Sequence, residues 1–66
     1  MDNLKPEEIC QTTYKKTIER LNETLFENLV LADGDDQLEK QARERYKKGL
    51  QLAKKFLKIC LEEAQT

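Results

Sequence analysis

The stretch LADGDDQLEK, residues 31–40, decides the fold. It holds Gly34, one of only two glycines in 66 residues, between three aspartates. Glycine reaches backbone angles that a tight reversal needs, and aspartate favours turns and helix N-caps. Asp36 can cap a following helix, and Glu39, three residues on, completes a capping-box-like pair. The reading is a turn over about 32–36, with a helix on each side.

Working outward, the preceding helix runs from Pro6 to about Leu31. Proline suits a first helical position, where its missing N–H costs nothing. Glu7 and Glu8 then set negative charge at the positive end of the helix dipole. The following helix runs from about Gln37 to about Ala64. At about 100° per residue, the first helix collects Cys10, Tyr14, Ile18, Leu21, Leu25 and Leu29 on one face. The second collects Leu38, Ala42, Tyr46, Gly49, Ala53, Phe56, Leu57 and Cys60. A short turn makes the two helices antiparallel neighbours. The expected facing pairs are Tyr14/Ala53, Ile18/Gly49, Leu21/Tyr46, Leu25/Ala42 and Leu29/Leu38. Large residues meet small ones in three of these. Gly49 costs about 1 kcal/mol inside a helix, so a close helix approach is expected there.

The fold class is therefore all-α: an antiparallel two-helix hairpin forming a single domain over residues 1–66. Charged and hydrophobic residues each make up 38% of the chain, a balance that suits amphipathic helices rather than sheets or disorder. A chain of this size has a marginal core on its own. Leu52 and Ile59 widen the apolar arc of the second helix, with Phe56 between the two patches. Phe26, Val30 and Leu31 lie off the main stripe of the first. Leu52, Phe56, Ile59, Phe26 and Val30 are thus the expected interface of a homodimer, two hairpins making a four-helix bundle, or of a different partner taking the same surface.

Several chemistries drop out. The chain has no histidine, which removes Ser-His and Cys-His catalysis and His-containing metal sites. No glycine-rich phosphate loop is present. A calcium loop beginning at Asp33 would need glycine at its sixth position, where Leu38 stands. The expectation is a non-enzymatic interaction or regulatory protein without cofactor, metal or small-molecule substrate. The stretch MDNLKPEEIC at the start has no apolar region of the kind a secretory leader carries, and no run approaches the roughly eighteen apolar residues of a membrane span. A soluble, cytoplasmic protein follows as the expectation. Cys10 and Cys60 fall near the same end of the hairpin, about 4.5 Å out of the expected register. They read first as buried thiols, with a redox-sensitive disulfide as the alternative.

Charge is the remaining signal. Residues 1–33 carry seven acids and four bases, and residues 34–66 carry six acids and eight bases. Lys40, Arg43, Lys47, Lys54 and Lys58 fall within about 60° of one another on a helical wheel. They face away from the core stripe, in a row roughly 27 Å long at 1.5 Å per residue. Such a row is a candidate contact for RNA, DNA or an acidic protein, although a net charge of −1 gives no global attraction to polyanions. In length, Asp-rich turn and apolar pattern the chain resembles the Rop family of plasmid RNA-binding proteins. The resemblance implies a dimeric four-helix bundle. It carries no site residues: in that family the RNA-contacting face belongs to the first helices, and here the first helix presents Glu19, Glu23 and Glu27 outward.

Overall fold

The computed structural model describes residues 5–65; residues 1–4 and 66 of the expected single domain lie outside the described residues. Two helices pack as a hairpin, and no strand occurs among the described residues. α1 spans Pro6–Ala32 and α2 spans Asp36–Ala64. The Cα trace fills about 47 × 23 × 7 Å, a flat slab two helices wide and one helix thick.

The ends of α1 are closed by local chemistry. Lys5 is extended, Pro6 opens the helix, and the Lys5 N–H donates to Glu8 Oε1 at 2.9 Å. At the other end Asp33 takes a left-handed conformation, φ 47° and ψ 46°, and its N–H donates to the Leu29 carbonyl. Aspartate tolerates this region better than most side chains. Gly34 follows at φ 85°, and the Asp35 N–H donates to the Ala32 carbonyl at 2.8 Å.

The cap of α2 differs from the sequence expectation. Asp35, not Asp36, is the N-cap, and its Oδ1 accepts from the Leu38 N–H at 3.0 Å. The two left-handed residues at 33 and 34 complete the reversal early, so Asp36 is already helical. Asp36 and Glu39 then sit in the first turn, where their charge complements the dipole.

The register differs too. Leu21, not Ile18, covers Gly49: a Cβ built on Gly49 would lie 2.5 Å from Leu21 Cδ2. Relative to the expected pairing this slides the helices by about three residues, or roughly 4.5 Å. The same slide brings Cys10 level with Cys60. The two form a disulfide, with Cα atoms 6.0 Å apart, which corrects the reading of two free thiols. A branched leucine end over a glycine, and a covalent bond between the helix ends, outweigh the small-against-large pattern that suggested the other register.

The core between the helices is thin. Among the described residues only Cys10, Ala32, Ala42 and Ala53 are buried, and no large side chain is fully enclosed. A slab one helix thick has no third layer to cover its broad faces, so its larger apolar groups stay partly or wholly in water.

Candidate interaction surfaces

Helical geometry sorts the exposed residues into two broad faces and two edges. On α1, Cys10, Leu21 and Asn28 point within about 20° of one another, towards α2. On α2, Ala42, Ala53 and Cys60 do the same towards α1. Residues turned to either side of these directions belong to opposite faces of the slab.

On one face Thr13 and Thr17 of α1 meet Leu52 and Phe56 of α2 across a cleft of about 340 Å³ floored by Gly49 and Ala53. Leu52 is 66% exposed, Phe56 39% and Ile59, one heptad beyond Leu52, 46%. These three expected interface residues therefore share a face. The face is mixed: towards the turn Leu31 and Leu38 line a cleft together with Asn28, Gln41 and Arg45. Phe26 and Val30 lie elsewhere. Phe26, 69% exposed, lines a groove with Asn22, Glu23 and Glu27, all from α1. Val30 follows one turn later. The structure does not bring them into the Leu52 cleft.

The opposite face is more uniform. Ile18, Leu25 and Leu29 turn to it from α1, and Tyr46, Leu50, Leu57 and Leu61 from α2. All are half-buried except Leu29, which is 37% exposed. One hydrogen bond crosses the helices on this side: the Tyr46 hydroxyl donates to Asn22 Oδ1 at 2.6 Å. Leu50 and Leu61 were not among the expected interface residues. The four-three spacing of Tyr46, Leu50, Ala53, Leu57 and Cys60 carries the signal that would have found them.

Lys40, Arg43, Lys47, Lys54 and Lys58 are all exposed. Their arc lies along the outer edge of α2, bordering the side of Leu50, Leu57 and Leu61. The matching outer edge of α1 presents Glu8, Glu19 and Glu23, also exposed, with Lys15 and Lys16 at its two margins and Phe26 and Val30 among the glutamates. The slab thus has a basic edge and an acidic edge flanking the same apolar face.

Among the described residues, no group of three or more His, Cys, Asp or Glu is placed to hold a metal ion, and no helix is long and apolar enough to cross a membrane. The fold and its surfaces define a disulfide-closed antiparallel α-hairpin with an uncovered apolar face. No protein-family model matches the chain, and no curated protein or solved structure is significantly similar to it. The likeness to the Rop family is therefore one of outline alone.

Proposed function

We propose that this chain is a non-enzymatic interaction or regulatory module that works as a homodimer, two hairpins joined into a four-helix bundle. One observation carries the reading. A hairpin with four small buried residues and no fully enclosed large side chain leaves most of its apolar surface wet. Burying that surface is worth about 25 cal/mol per Å², and a second hairpin supplies the missing layer. Sedimentation equilibrium tests this: the expected mass is twice the 7.8 kDa of one chain. A folded monomer that persists at micromolar concentration would overturn it.

A second reading has its own support in the exposed row Lys40, Arg43, Lys47, Lys54 and Lys58: a dimer that binds RNA or DNA. Counterion release predicts affinity that falls steeply with salt. Titration with duplex and hairpin RNA and DNA at 50 and 200 mM salt decides it, and no binding at the lower salt ends it. An acidic protein on the same row would give a pulldown that depends on these bases and ignores nuclease.

The disulfide bears on the compartment. A cytoplasmic protein would hold Cys10 and Cys60 as thiols, whereas an oxidising compartment preserves their bond. This favours an oxidising compartment over the cytoplasm. Alkylation of the protein in its host before lysis, followed by mass analysis, distinguishes the two.

A further inference from the structure

We infer that the two hairpins stack through the face of Ile18, Leu25, Leu50, Leu57 and Leu61 with both turns at the same end, so that α1 of each lies on α2 of the other. This rests on the dimer reading and adds to it the face and the orientation.

The choice of face comes from periodicity. A helix in a four-helix bundle buries a stripe that points between its two neighbours. On α2 that direction lies between Ala53, which faces α1, and Leu50, which faces out of the slab. Tyr46, Leu57 and Ala64 fall on it, and all are half-buried. On α1 the same direction collects Ile18 and Leu25, again half-buried. A second layer would complete their burial. The cleft face carries Leu31 and Leu38 near the turn, but Thr13, Thr17 and Thr24 break its α1 side and Gln41 and Arg45 its α2 side.

The orientation comes from charge. Two twofold arrangements bring these faces together. With the turns at opposite ends, α1 lies on α1 and α2 on α2. That sets the basic row against its own copy and the glutamates against theirs. With the turns at the same end, each acidic edge lies along a basic edge. Helix dipoles are antiparallel in both arrangements and do not decide between them.

The observed register makes the pairing specific. Cys10 is level with Cys60 and Leu21 with Gly49, so Glu23 is level with Lys47, and Glu19 lies between the levels of Lys47 and Lys54. A twofold axis along the hairpin leaves levels unchanged. Glu23 of one hairpin then comes beside Lys47 of the partner subunit, and Glu19 between Lys47 and Lys54 of the partner subunit. Lys15 and Lys16, level with Lys55 and Lys54, are the mismatches on that edge, and Asp36, Glu44 and Glu62 are acids along the basic edge.

Two measurements test this on the disulfide-bonded protein. A nitroxide on Gln37→Cys, at the turn end of α2, reports the distance between the two turns by double electron–electron resonance. A shared end gives about 30 Å or less, and opposite ends about 40 Å or more, from 1.5 Å per residue and helix spacings of 8–10 Å. A dimer with the longer distance overturns the orientation and leaves the dimer reading standing. A monomer overturns both. The second measurement is a charge swap at exposed positions that leaves the hairpin core untouched. Lys47→Glu and Glu23→Lys should each raise the dimer dissociation constant about two- to thirtyfold at low salt, since each change acts twice per dimer. The double variant should return towards the parent value. A Lys47→Glu dimer tighter than the parent would mean like charges face each other, and the orientation fails. Leu57→Glu should dissociate the dimer and Leu52→Glu should not; the reverse result moves the interface to the cleft face.

Discussion

The two ends of the hairpin are closed by opposite means. At the turn end, four residues and a handful of backbone hydrogen bonds reverse the chain. Every contact there joins neighbours in sequence, and each contributes on the order of 1 kcal/mol. At the open end a single bond joins residues 50 apart in sequence. Its effect falls on the unfolded chain, which it holds in a large loop. Cutting the open end should therefore cost far more than damaging the turn. For a loop of about 50 residues the chain-entropy estimate is about 4 kcal/mol. Reduction, or Cys10→Ser, should lower the urea midpoint accordingly at fixed protein concentration, with helical circular dichroism as the readout. A loss below about 1 kcal/mol would mean that the dimer, not the disulfide, holds the open ends together.

Between the two ends Leu21 packs over Gly49. Alanine there would ordinarily stabilise a helix by about 1 kcal/mol. Its Cβ, however, would press on Leu21 Cδ2 at 2.5 Å, with Cδ1 at 3.2 Å and Cγ at 3.4 Å. Overpacking of this kind costs about 1–3 kcal/mol. Gly49→Ala should therefore be destabilising by about 1 kcal/mol. In a Leu21→Ala background the clash disappears, and the same change should become stabilising by about 1 kcal/mol. A double-mutant cycle measures the reversal. The same sign in both backgrounds would place Leu21 elsewhere and undo the register.

The difference between the ends also explains what the sequence makes legible. The turn could be read because its instructions are local: Gly34 and three aspartates sit within a few residues of where they act. Even there the cap was misplaced by one residue, since Asp35 and Asp36 are chemically alike and only the left-handed Asp33 decides between them. The open end could not be read in the same way. Whether Cys10 meets Cys60 depends on a register summed over two helices. Several alternations of large and small residues fit that register nearly as well. Burial by itself favoured free thiols. The surfaces fall between these cases. The basic row was legible because it depends on one helix alone. That Phe26 and Val30 lie apart from Leu52, Phe56 and Ile59 was not legible, because sharing a face depends on how two helices are turned towards each other.

At the turn, Asp35 gives the sharper of two tests. Its carboxylate caps the α2 N-terminus and accepts from the Leu38 N–H. Asp35→Ala should cost about 1 kcal/mol, and Asp35→Asn much less, because the amide oxygen can still accept. Asp36→Ala removes only a charge near the dipole and should cost about 0.3–1 kcal/mol, less at high salt. A larger loss at Asp36 than at Asp35 would return the cap to the position read from sequence.

The smallest effect is expected at Tyr46, whose hydroxyl ties the helices together through Asn22 on the face assigned to the dimer. In a lone hairpin this bond is open to water, and Tyr46→Phe should cost about 0.5 kcal/mol or less. Once a second hairpin covers the face, the same hydroxyl is enclosed, and Asn22 loses water as an alternative donor. Removing the hydroxyl would then leave an acceptor unsatisfied, at about 1–3 kcal/mol. The loss should therefore grow with protein concentration as the dimer fills. Urea titrations at low and high micromolar concentration compare the two. An effect that does not change with concentration would keep Tyr46 at an open surface and count against the stacking through its face.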